Sequence, residues 1–208
     1  MSAKVRAAPA KRTQQQRSDA AIDALLGVAR KSFGGSGYDG TSLDDVAARA
    51  GMTKGAVYHH FGSKHALFEG VFRLEHRRTI DTVVAKSRGA RDPIDGLLRG
   101  VRAYLQYVLD PVARRILLED GPSVLGWERW RRCEEPGFQQ LLESSLAHAA
   151  ERGMLRPGVR PAETALLLLG AMTEGALAVA HADDPAATAR RLSDAFATHV
   201  RALCSTPA

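Results

Sequence analysis

A chain of 208 residues, 45% hydrophobic and 25% charged, can bury a core and is long enough for one large domain or two small ones. Its net charge of +6 is unevenly placed: residues 1–80 hold 13 Lys and Arg against 7 Asp and Glu, and the rest 16 against 16, the footprint of a phosphate-binding module beside a neutral one. The start of the chain lacks the apolar stretch of a secretory signal, and Cys133 and Cys204 fit no metal or redox spacing, so they read as free thiols of a reducing cytoplasm.

Residues 1–17 carry Lys4, Arg6, Lys11, Arg12 and Arg17 with no acid, so they read as a flexible basic arm that follows DNA or as a solvated tail. From Ser18 to Phe33 the residues Ile22, Leu25, Leu26, Ala29 and Phe33 form one helical stripe, ended by glycines 34, 35 and 37. Leu43, Val46, Ala47 and Ala50 share the next helical face. Thr41 with Asp44 three residues on gives the capping-box pattern, and Gly51 supplies a positive-φ stop. Thr53 caps a second short helix from Lys54 to about His60. In it Val57 and Phe61 point inward, and Lys54, Gly55, Tyr58 and His59 face out. Two short helices around a tight glycine turn suit a recognition helix in a major groove. Gly62 breaks the chain, Ser63 caps again, and a long helix over residues 63–87 keeps a stripe from Leu67 to Val84.

Asp92-Pro93 is a cap with proline at the first helical position, and that helix runs to about Leu109. Pro111 opens a short helix that Gly121-Pro122 interrupts. Trp127 and Trp130 lie on one face of the next helix, which is kinked or looped at Pro136-Gly137 and continues to Arg152. Gly153 and residues 156–161 read as a linker. Pro161 to His181 is apolar almost all round, as a helix covered on several sides is. Its apolar run, Ala165 to Ala180, is interrupted by Thr173 and Glu174 and is shorter than the ~20 residues of a bilayer span, so no membrane segment is expected. Asp184-Pro185 opens the last helix. Strand-period alternation is missing throughout, so the expected fold is all-α with about nine helices.

The run TSLDDVAARAGMTKGAVYHHFGSKHALF, residues 41–68, resembles the DNA-binding signature of the TetR family of bacterial transcriptional regulators. Thr41, Val46, Ala47, Ala50, Gly51, Gly55, Tyr58, His60, Phe61, Lys64 and Leu67 carry the match, and the rest of the chain agrees in helical layout and length alone. The resemblance implies a helix-turn-helix DNA-binding domain over 18–62 and a ligand-binding and dimerisation domain over 63–208. It implies a homodimer through the last two helices, about 161–203, on a palindromic double-stranded operator. It also places Thr53, Lys54, Gly55, Ala56, Tyr58, His59 and Lys64 at contact positions. Lys54 meets phosphate or a base edge, Tyr58 and His59 offer polar groups, Lys64 holds the flanking strand, and the hydroxyls of Thr41 and Thr53 cap helices and touch phosphates. His60 matches the motif but is expected to face inward.

Phe72, Tyr104, Tyr107, Trp127, Trp130, Phe138 and Met172 lie on helices that the resemblance places around an effector pocket, and aromatic walls suit a small apolar or aromatic molecule; each is also an ordinary core residue. Glu174, a carboxylate in an apolar helix, needs a partner: a cationic or hydroxylated ligand, or an arginine across the dimer. The expectation is a ligand-responsive regulator, a repressor by family tendency, with no cofactor and no metal. The alternatives are a constitutive regulator or activator without a ligand and, remotely, an enzyme. His59, His60, His65 and His76 lack a carboxylate at ligand spacing, and no nucleophile, phosphate-loop or dinucleotide motif occurs.

Overall fold

The computed structural model describes residues 14–205, apart from the side chains of 14–17 and 134–136. The described residues form ten α-helices and one π turn. The first three are α1 (Gln14–Ser36), α2 (Leu43–Arg49) and α3 (Lys54–Phe61), followed by the long α4 (Lys64–Ser87) and by α5 (Pro93–Tyr107). Then come α6 (Pro111–Arg114), a π turn (Arg115–Glu119), α7 (Asp120–Leu125), α8 (Trp127–Glu151), α9 (Pro161–Ala180) and α10 (Pro185–Ala202). Most of the basic arm lies outside the described residues, and Gln14–Arg17 already belong to α1.

The stripe of α1 packs as the periodicity requires. Leu25, Ala29 and Phe33 are buried with Leu43, Val46, Ala47, Val57, Leu67 and Phe68 in one core. Phe33 and Phe68 meet edge to face, with centroids 5.2 Å apart. The cap of α2 is Ser42, whose Oγ accepts from the Asp44 N–H at 3.2 Å. Thr41, expected to fill that role, is buried and donates its hydroxyl to the Gly37 carbonyl at 2.7 Å, so it ties down the loop instead. Thr53 and Ser63 cap α3 and α4 as expected, accepting from the N–H groups of Ala56 and Ala66. Gly51 and Gly62, with φ of 68° and 73°, make the turns on either side of α3, where a side chain would be strained.

The tenth helix comes from residues 111–125. Gly121-Pro122 does not interrupt this stretch; one wide π turn lets it continue as α7. Gly121 is buried, and a Cβ there would lie 2.9 Å from both the Ile116 carbonyl oxygen and Phe72 Cε2. The glycine serves close approach, and the chain breaks at Gly126, where φ is 78°. Pro136-Gly137 forms no loop either, since α8 runs unbroken from Trp127 to Glu151. The linker after α8 is pinned to the end of the chain. Leu155 bridges to Cys204, and the Arg156 and Ser205 N–H groups bond the Leu203 and Met154 carbonyls at 2.9 Å each.

Helix α9 has 20 residues and a mean hydropathy of 1.4 in its most apolar window, enough by length and composition to cross a membrane. One side of it packs on α8 and α10, burying Ala165, Leu168, Leu169, Met172, Ala176 and Val179. The other side leaves Leu166 and Leu167 exposed, Leu167 to 74%.

Candidate nucleic-acid interface

Helix α3 presents Lys54, Gly55, Tyr58, His59 and His60 to solvent and buries Val57. His60 thus faces outward, against expectation, because α3 has only eight residues and a single buried anchor. Its ring lies 5.6 Å from that of His59. Lys54 Nζ is 2.9 Å from Asp44 Oδ2 on α2 and 5.9 Å from the centre of the Tyr58 ring. The hydrogen bond to Asp44 raises its pKa. Lys64 Nζ sits 4.5 Å over the Tyr38 ring and donates to the Asp39 carbonyl at 3.3 Å. Lys54 at the start of α3 and Lys64 just past its end thus bracket an exposed surface that carries two imidazoles and a phenol. That surface can accept phosphates and offer donors to base edges. Ala56 is half-buried, and a Cβ on Gly55 would meet nothing within 4 Å. Asp44, expected as the second half of a capping box, instead holds Lys54, and Tyr38, which holds Lys64, was not anticipated; the opposite charges of Asp44 and Lys54 on either side of the turn were the available signal.

The residues expected around a ligand divide into three places. Phe138 and Met172 line a cavity of about 240 Å³ between α4, α5, α8 and α9, together with Val83, Leu97, Val101 and Leu142. Phe72 and Tyr104 are fully buried around Phe138: Tyr104 is 5.0 Å from it, and His76, stacked on Phe72, is 5.3 Å from it. Trp127, Trp130 and Glu174 border a separate pocket of about 210 Å³ between α8 and α9. Trp130 is fully buried and donates its indole N–H to the Leu117 carbonyl at 2.8 Å, whereas Trp127 is 55% exposed. Tyr107 goes elsewhere again: its hydroxyl donates to Glu75 at 2.7 Å.

A model of the tetracyclin repressor-like C-terminal domain matches residues 94–203, more than half of the chain, and one of the bacterial regulatory proteins of the tetR family matches residues 25–71. The chain belongs to the TetR family of transcriptional regulators. A solved TetR-family regulator from Pectobacterium atrosepticum is 30% identical and superposes with a TM-score of 0.80, covering 95% of this chain and 100% of that one. The Tn10 TetC protein of Escherichia coli is 27% identical over 117 residues, 56% of this chain and 59% of that protein. The transcriptional repressor AcnR of Corynebacterium efficiens is 26% identical over 151 residues, 73% of this chain and 77% of that protein.

In this TetR-family chain the first three helices are fastened to the rest by a polar seam. Glu75, fully buried on α4, takes a bidentate pair from Arg30 on α1 and the hydroxyl of Tyr107 on α5. Arg30 also reaches Asp110 at 3.1 Å. The pair with Glu75 raises the Arg30 pKa, outweighing burial, and burial with the bond to Glu75 pushes Tyr107 up to about 12. Further along, Arg115 donates to the Gly35 carbonyl at 2.7 Å, and the Tyr38 N–H donates to the Asp120 carboxylate at 2.8 Å. The π turn and α7 thus hold the loop that carries Tyr38, the platform of Lys64.

Proposed function

We propose that this protein is a homodimeric, ligand-responsive repressor that leaves a palindromic operator when a small apolar or aromatic molecule binds. The observation that carries the reading is the span of α4. Its first residue, Lys64, stands at the exposed surface of α3, and its last turns, Val83 to Ser87, line the cavity. Twenty-four residues make a rod of roughly 36 Å, and a rod with a site at each end transmits a tilt as a displacement of α3. The unit read from 18 to 62 would move with it against the unit from 63 to 208. Lys54, Tyr58, His59 and Lys64 make the DNA contacts with the first N–H groups of α3; Thr41, buried and hydrogen-bonded, is removed from that set.

The partner subunit covers the exposed side of α9 and α10. Leu167, Gly170, Ala171, Glu174 and Ala178 are exposed and share one face of α9, and Ala195 and His199 are exposed on α10. Glu174 belongs to that face, so it meets the partner more readily than a ligand in the cavity. The relative AcnR, whose name describes a repressor, supports repression over activation. The test is fluorescence anisotropy on a palindromic fragment selected from random DNA, with and without apolar compounds that bind the protein. Binding compounds should lower operator affinity by about 5- to 150-fold, and DNA should weaken their binding by the same factor. Compounds that occupy the cavity and leave DNA affinity unchanged would point to a constitutive regulator.

A further inference from the structure

The cavity between α4, α5, α8 and α9 is mostly apolar. Val83, Val84, Leu97, Val101, Leu142 and Met172 form walls around the aromatic face of Phe138, and the polar lining is Ser87, Ser145 and Arg88. Among the described residues no carboxylate lines it. Its volume, about 240 Å³, falls below the roughly 300–1,000 Å³ of sites for drug-sized ligands, so its occupant is small.

Arg88 is the one exposed residue of this lining, which puts it at the rim. It ends α4 with an extended backbone, φ −60° and ψ 142°. Its neighbours Arg91 and Arg99 both pair with Asp95, at 3.6 and 2.9 Å, but Arg88 forms no ion pair among the described residues. Ser87 already donates to the Gly96 carbonyl at 3.0 Å. The Ser145 hydroxyl makes no hydrogen bond within the described residues. One uncommitted guanidinium, at the exposed end of α4, and one uncommitted hydroxyl on α8 therefore line a largely apolar chamber.

We infer that the ligand of this cavity is a small carboxylic acid with an apolar body, its carboxylate on Arg88 and Ser145 and its body against Phe138 and Met172. The assignment rests on the cavity being the effector site. A guanidinium fork matches a carboxylate with two parallel hydrogen bonds, and a cationic ligand would place like charge beside Arg88. Because the pair forms at an exposed rim, it selects more than it binds: exposed ion pairs shift affinity by about fivefold at most, and the buried body supplies the remainder.

The test uses the full chain and titration calorimetry with matched acids and primary amides: hexanoic acid and hexanamide, 3-phenylpropanoic acid and its amide, and 2-naphthylacetic acid and its amide. At least one pair should bind, with the acid about fivefold tighter and the preference shrinking in high salt. Arg88→Gln, at an exposed site, should erase that preference and leave the amide's affinity as it was. Val84→Trp, which fills the chamber, should block acid and amide alike, with a thermal melt to check its fold. If acid and amide bind equally and Val84→Trp blocks both, the cavity stands and the acid assignment falls. A preference that survives Arg88→Gln, or binding that survives Val84→Trp, overturns it as well. If no pair binds at millimolar concentration, the cavity reading and the acid assignment fall together.

Discussion

Tyr58 is exposed, and Lys64, half-buried over Tyr38, stands outside the main core, so their substitution reports chiefly on DNA. Tyr58→Ala and Lys64→Ala should weaken operator binding without changing the thermal melt. Lys64→Ala removes one phosphate contact, so the slope of log K against log salt should shrink by about 1; an unchanged slope and affinity would reject the contact. Tyr107 makes a different prediction. Burial and the bond to Glu75 push its pKa up to about 12, so the folded chain favours the neutral phenol. That contribution to stability is whole below the ordinary phenol pKa of about 10 and is lost as pH rises through about 12. Tyrosinate absorbance should show one late-titrating phenol, missing in Tyr107→Phe, and the wild-type melting temperature should fall over that range more steeply than the variant's.

Among the elements, the stretch from Pro111 to Leu125 shows how packing overrides local punctuation. A glycine followed by proline reads as a stop, yet here the helix widens by one π turn and keeps going, because Gly121 lets the backbone approach Phe72 and Trp130. Gly121→Ala should therefore destabilise the chain by about 1–3 kcal/mol through overpacking, although alanine is the better helix former. Gly27→Ala on α1, where a Cβ meets nothing within 4 Å, should stabilise it by about 0.5–1 kcal/mol. Urea unfolding of the two variants separates the effects by sign.

For the whole molecule, the decisive features are the seam and the uncovered face. Arg30→Met strands the buried Glu75 with Tyr107 and a distant Arg78 at 3.8 Å. The expected cost is about 3 kcal/mol, the lower end for a broken buried pair, measured by urea unfolding. Arg30→Met with Glu75→Met should recover part of it, since removing both charges leaves neither unpaired. If the seam couples the two ends of α4, the double variant should also bind DNA and ligand with less mutual antagonism. Leu167, 74% exposed on one chain, belongs to the proposed partner contact. Leu167→Glu should leave the fold intact, shift sedimentation toward the monomer, and weaken binding to a palindrome with half-sites about 34–36 Å apart more than binding to one half-site.

Local sequence determined the helices and their caps, because a 3.6-residue period and a hydroxyl or carboxylate before it act within a few residues. Thr53, Ser63, Asp92 and Asp184 cap as read. The surface of α3 was legible for the same reason: Lys54, Tyr58 and His59 are polar beside a single buried Val57. Tertiary structure decided where a residue's role depends on partners far along the chain. Thr41 caps nothing because Gly37 takes its hydroxyl, and Tyr107 bonds Glu75, 32 residues away, instead of lining the pocket beside Phe138. Phe138 and Met172 reach one pocket, whereas Trp127 and Glu174 reach another. An aromatic residue's hydrophobicity says only that it will be covered; which helix covers it, and whether space remains beside it, is fixed by the packing of α4, α5, α8 and α9 together.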